Sequence, residues 1–431
     1  MALTRTLLAA GLGIGLALAG PAGAANAATV GTTAASWTPR LMPSPADQVV
    51  EELEPCNGTM YAVGTMTQVG RGFSTYTRSN AFSFSETTGV MTNWAPQANG
   101  TVRSIAFSPD CSTAYLGGSF TTVNGVSANH LVAVDTTTGA VRTGFKHSAA
   151  GHVETVRYTH GQVIIGGTFN RVNGVSRSRI ASLDPTTGKV TSYVNMSVTG
   201  KYPNTGTKVY NSQLSHSGNR LLIEGVFTSI DGQARQQMAV LDLGASSATL
   251  DGWTSPELSR ACSIGFYART GNWSPDDNTI YTATTGYKPT SGPGSNTHDP
   301  RDGLCDAVAA FPASSTSVTH TWINYTGCDS YYSVAADASN VYVSGHERWA
   351  NNPNGCDFAG PGAVSRPGIA SMDPTTGLAT AWNPTRSLGH GSHQLLVTNA
   401  GLWVASDTWK NGQAQKCAGA GKHGGICFLP Y

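Results

Sequence analysis

Side chains able to grip a polar ligand or to move protons gather in two parts of the chain. Arg103, Glu154, Ser212, Tyr332 and His393 stand at corresponding points, each near the start of an apolar stretch that precedes a recurring anchor residue. A second group crowds the last third: His298, Asp299, Arg301 and Asp302, then His346, Glu347, Arg348 and Trp349, then His390, Asp407 and Trp409. Aromatic faces cover the C–H groups of a sugar while charged side chains bond its hydroxyls, so this mixture suits carbohydrate binding. It suits an extracellular protein equally, because Trp, Tyr and Arg dominate protein hot spots. The expected ligand-binding residues are Arg103, Glu154, Tyr332, His346, Arg348, Trp349, His393 and Asp407.

Catalysis is the second reading. A carboxylate pair ~5–9.5 Å apart would suffice for glycoside hydrolysis, and Glu154 with Glu347, or Asp302 with Asp407, supplies the residue types. The enzyme alternative is a glycoside hydrolase or lyase at the same place, with no catalytic residue assigned. No Gly-x-Ser-x-Gly elbow, His-Glu-x-x-His or phosphate-binding glycine loop occurs. Asp299-Pro-Arg-Asp302-Gly303 is too short for a calcium loop. Neither a metal nor a cofactor is expected.

The elements that must position these groups come from internal repetition. Tyr115-Leu-Gly-Gly-Ser-Phe-Thr-Thr-Val-Asn-Gly125 matches Ile164-Ile-Gly-Gly-Thr-Phe-Asn-Arg-Val-Asn-Gly174 and Leu222-Ile-Glu-Gly-Val-Phe-Thr-Ser-Ile-Asp-Gly232 position by position. Downstream, Val132-Ala-Val-Asp135, Ala181-Ser-Leu-Asp184 and Ala370-Ser-Met-Asp373 each run into an Asp-x-Thr-Thr-Gly turn. Anchors at Tyr61, Tyr115, Ile164, Leu222, Tyr281, Tyr342 and Trp403 are spaced by 54, 49, 58, 59, 61 and 61 residues. Each unit has room for four short strands, the composition of a β-propeller blade. The expectation is an all-β, seven-bladed propeller. Unit seven stops at Tyr431 without a fourth strand, and Trp37-Thr-Pro39 near the other end reads like Trp94-Ala-Pro96 and Trp382-Asn-Pro384. The N-terminal strand should therefore complete the last blade and close the ring, which removes open edges.

With Gly-Gly-x-Phe-x-x-Val-Asn-Gly followed by Asp-x-Thr-Thr-Gly, units two and three resemble the delta-60 type of bacterial secreted β-propeller repeat. Units one, four and six share the pattern in part. The resemblance implies an exported propeller and names no reaction and no catalytic residue.

Regular units need only pack, so departures point to function. Unit five inserts Gly286 to Gly303, unit six Arg348 to Pro367, and unit seven Lys410 to Gly425. These insertions share one end of the barrel-like channel, and recognition is expected at the axial mouth over blades five to seven.

Charged residues make up 12% of the 431 residues and the net charge is +1, so no broad field would collect nucleic acid. Met1 to Ala27 has a basic start at Arg5, an apolar middle and Ala-x-Ala ends, the pattern of a secretory signal cleaved after about residue 24 or 27. Residues 28–431 then form a single propeller domain, released outside the cell, not inserted in a membrane, and expected to be a monomer. The eight cysteines suit an oxidising compartment. Alignment of the units puts Cys262 with Cys305 and Cys328 with Cys356 at one end of their blades. Cys417 pairs with Cys427 inside blade seven, and Cys56 with Cys111 between equivalent turns of adjacent blades.

Overall fold

Apolar runs rich in Val, Ile, Leu and aromatics, punctuated by Gly, Asn and Asp, favour short antiparallel strands over helices. A computed structural model describes residues 29–44, 46–260, 262–287, 303–388, 391–407, 409–410, 413–414, 416–418 and 423–431. The leader expected at 1–27 lies outside the described residues, as do His298, Asp299, Arg301, Asp302 and His390. Among the described residues the only helix is a 3-10 turn at Pro256–Ser259.

Seven antiparallel sheets carry the core among the described residues. Their innermost strands are Val49–Cys56, Val102–Phe107, Val153–Thr159, Lys208–Leu214, Ala268–Trp273, Tyr331–Ala336 and Ser392–Thr398. Each pairs with the anchor strand that follows it, and the anchor strand pairs in turn with a third strand, which enters an Asp turn in the second, third and sixth sheets. Hydrophobic clusters fill the gaps between neighbouring sheets. One joins Leu53, Met60 and Phe82 of the first sheet to Trp403, Ala405 and Phe428 of the last. The chain is an all-β propeller.

Fourth strands are less regular than the repeats suggest. Ala248–Leu250 and Trp322–Tyr325 are full strands, whereas Phe84–Met91, Val134–Val141, Leu183–Val190 and Met372–Ala379 are single bridges. Indoles in this part of the units tie one sheet to the next. Trp94 Nε1 donates to Asp135 O at 3.1 Å, Trp253 Nε1 to Pro312 O at 3.0 Å, and Trp322 Nε1 to Pro374 O at 2.9 Å. Each indole bonds a carbonyl of the next sheet, whether its own fourth strand is full or a single bridge. Trp382 does the same to Val30 O, at 2.8 Å, in the N-terminal segment. That segment runs beside the last strand, with Gly31 N to Pro430 O at 2.7 Å and Ala35 N to Phe428 O at 2.8 Å.

The Asp turns behave as side-chain-capped loops. Asp184 Oδ1 accepts from Thr186 N, Thr187 N and Thr187 Oγ1 at 3.1, 2.7 and 2.7 Å, and Gly188 takes a φ of 66° to return the chain. Four disulfides join Cys56–Cys111, Cys262–Cys305, Cys328–Cys356 and Cys417–Cys427, with Cα separations of 6.0, 5.7, 4.9 and 5.9 Å. These are the four pairs given by aligning the units.

Candidate functional site

All seven innermost strands carry a β-bulge at the same place, where the register slips by one residue against the anchor strand. The residues left over are Glu51, Arg103, Glu154, Tyr210, Arg269, Tyr332 and His393. A bulge bends its strand and re-aims one side chain. Here it sends all of these residues to line one cavity of about 890 Å³ between the innermost strands. Opposite the bulges sit the second glycines of the repeat motif. A Cβ at Gly118, Gly167 or Gly225 would run into the carbonyl oxygen of Thr101, His152 or Lys208, the residue two before the bulge. The motif glycine thus exists because the inner strand comes so close.

The ring has a paired arc and an open arc. Arg103 bridges Glu51 (Nη1–Oε1, 3.3 Å) and Glu154 (Nε–Oε2, 3.0 Å). His393 Nδ1 donates to Glu51 Oε2 at 2.7 Å. Burial by itself would raise the Glu51 carboxyl, yet His393 and Arg103 hold it below its ordinary 4.5. Burial would likewise lower His393, and Glu51 instead holds it above 6.5. Elsewhere on the lining, the Arg269 guanidinium lies over the rings of Tyr210 and Phe266, 5.9 and 5.1 Å from their centroids, and the Lys208 ammonium lies 4.7 Å from that of Tyr210. Burial raises the Tyr210 and Tyr332 phenols above 10.0, so both stay neutral donors.

Below the ring, side chains of one sheet stitch the next. Gln394 Oε1 accepts from Leu53 N at 2.7 Å, Glu52 Oε2 from Ile105 N at 2.8 Å, and Ser104 Oγ from Val156 N at 2.9 Å. Arg157 Nη1 pairs with Glu52 Oε1 at 2.9 Å. Glu54, deeper in the cavity, is pushed up to about 8 by burial, with Glu52 adding to the effect.

Of the residues expected from sequence, Arg103, Glu154, Tyr332 and His393 line the cavity. His346 packs edge-on against Tyr332, ring centroids 5.3 Å apart. Arg348, Trp349 and Asp407 do not line it. Arg348 grips Asp329 with Nε and Nη2 at 2.8 and 2.9 Å, reaches Asp357 at 2.7 Å, and stacks on Trp349 at 4.4 Å. Asp407 is fully buried and pairs with Arg386 at 2.6 Å. Ser212 is not at the position equivalent to Arg103: Tyr210 is, and Ser212 instead bonds Thr155 at 2.6 Å. Counting back across loops of unequal length caused that slip. Glu51, Tyr210 and Arg269 were missed, although the residue after the leading Val of Val50-Glu51, Val102-Arg103, Val153-Glu154 and Val209-Tyr210 is a usable signal.

The family model for the Rax2 C-terminal beta propeller domain matches residues 81–247. No curated protein matches the chain. Among solved structures, the WD40 beta propeller domain of Doa1 is 10% identical over 85% of this chain and 94% of its own, with a TM-score of 0.43. The RRP9 WD40 repeats are 8% identical over 92% and 98%, at 0.49. The computationally designed Ika8 protein is 8% identical over 91% and 98%, at 0.47.

Proposed function

We propose that the chain is a secreted, monomeric recognition protein whose seven sheets are the blades of one ring, closed by the N-terminal segment, with a carbohydrate ligand entering the axial cavity. Residues 28–431 are its single domain, after a leader at 1–27. Four disulfides fit an oxidising compartment, and among the described residues no helix is long and apolar enough to cross a membrane. The observation that carries the reading is the alignment of seven bulges on one cavity. Packing needs no bulge in every inner strand, and bulges that converge on a lined cavity place polar groups for a ligand. The site accordingly lies in the cavity, with Tyr332, His393 and His346 on the side of blades five to seven, while Arg348 and Trp349 hold the adjoining loop.

A screen of the purified protein against polysaccharides, scored for retention and for released reducing ends, tests this reading. Retention lost in Tyr332→Ala but kept in Arg348→Ala is the expected result. Retention by no saccharide, with capture of an extracellular protein instead, would move the ligand to the other class.

A second reading is a glycoside hydrolase or lyase, and one observation favours it. Glu52 and Glu54 both line the cavity; burial pushes Glu54 up to about 8, the direction a general acid needs, while Glu52 is held by Arg157 and Ile105 N. Product formation abolished by Glu54→Gln would establish it.

A further inference from the structure

We propose that the cavity ligand is an acidic sugar, a uronate whose carboxylate is received by Arg269 between Tyr210 and Tyr332. This rests on the cavity being the ligand site.

The charges of the ring are unevenly distributed. Its two carboxylates, Glu51 and Glu154, are both engaged by Arg103, and Glu51 by His393 as well. Arg269 and Lys208 are the remaining cations; Lys208 lies within electrostatic reach of Glu154, and Arg269 makes no ion pair with a described residue. Arg269 is half-buried, and its one hydrogen bond to a described residue uses Nε, to Thr285 Oγ1 at 3.3 Å. Neither Nη nitrogen has a hydrogen-bond partner among the described residues, and Arg269 lines the cavity. Resting on the faces of Tyr210 and Phe266, the guanidinium is held in place without being neutralised.

A planar fork with its outer nitrogens open matches a carboxylate in bidentate geometry. Lys208 adds a second positive charge beside Tyr210. Among the seven bulge residues two arginines face two carboxylates, and since Arg103 bridges both Glu51 and Glu154, Arg269 is the cation left over. A half-buried guanidinium without an ion-pair partner is costly, so a site that keeps Arg269 this way is suited to an anion. The remainder of the ring specifies a sugar rather than an acidic peptide. Tyr210 and Tyr332, at the bulges before and after Arg269, offer neutral hydroxyls and Tyr332 an aromatic ring, and Glu51 and Glu154 offer carboxylate acceptors for ligand hydroxyls, which would repel a second acidic residue.

Calorimetric titration with trigalacturonate, its fully methyl-esterified form and a glutamate tripeptide tests this directly. Trigalacturonate should bind at least tenfold more tightly than the ester. Arg269→Ala should weaken trigalacturonate by tenfold or more and leave the ester unchanged, while Arg269→Lys recovers part of the loss. An unchanged melting temperature of each variant certifies the fold. If ester and acid bind equally, and Tyr332→Ala weakens both, the acidic preference is overturned and the cavity reading stands. Tighter binding of the peptide than of trigalacturonate, lost in Arg269→Ala, overturns the sugar and keeps the anion site in the cavity. Binding of the uronate untouched by Arg269→Ala and by Tyr332→Ala overturns both readings.

Discussion

His393 Nδ1 lies 2.7 Å from Glu51 Oε2, so two residues 342 positions apart join the innermost strand of the last sheet to that of the first. This ion pair links the innermost strands of the first and last sheets on the cavity lining. It also makes the seam sensitive to pH.

The sign follows from the two shifts. His393 is raised above 6.5, so its contribution is full below that value and fades as pH rises through the raised value. Glu51 is lowered below 4.5, so its contribution is present above 4.5 and fades on acidification. The link is therefore strongest between those values. Comparing melting temperatures of the protein and of His393→Asn from about pH 5 to about pH 9, the gap between them should narrow as pH rises. A gap independent of pH would contradict the charged pair.

The N-terminal segment should contribute strongly to stability. It supplies Val30 to the core of the last sheets, two backbone bonds to the final strand, and Trp37 against Trp403 and Phe428 at 5.8 and 5.7 Å. Removing the chain through Pro39 should cost several kcal/mol and expose the edge of Ile426–Pro430. Thermal unfolding of the truncated protein at the parent temperature would refute this.

Arg348→Ala should destabilise the protein by about 1–3 kcal/mol while leaving cavity binding intact, since Asp329 would lose its bidentate partner. Urea unfolding measures the first and calorimetry the second. Unaltered stability with lost binding would return Arg348 to the ligand site.

Glu224 occupies the place of the first motif glycine, is fully buried against the Gly271 backbone, and is pushed up to about 8 by that burial. A raised carboxyl contributes fully below its ordinary 4.5 and loses that contribution as pH climbs towards 8. Glu224→Gln should flatten this decline, so the variant gains on the parent between pH 6 and about 8 in chemical denaturation. Parallel pH profiles would rule out burial as the cause.

Much of the architecture was legible because repeats expose their own logic. The Asp-x-Thr-Thr-Gly turns, the apolar strands and the cysteine pairs each depend on residues close in sequence or at equivalent points of neighbouring units. The motif glycines were legible as motif, but their reason was not. Gly118 and Gly167 mark where the inner strand bulges towards them, and nothing in a linear pattern tells a turn glycine from one that faces a carbonyl across a ladder.

The candidate site divides along the same line. Arg103, Glu154, Tyr332 and His393 could be aligned because their units are alike up to that strand. Arg348 and Asp407 looked like ligand groups by residue type, and only packing showed their charges held by Asp329 and Arg386. Sequence by itself determined the repeating strands, their turns and the disulfide pairs, because hydrophobic period and turn chemistry act over a few residues. Tertiary structure decided which charges meet and which stay open, because a bulge moves a side chain by one register step and an ion pair forms across sheets that the chain reaches tens or hundreds of residues apart.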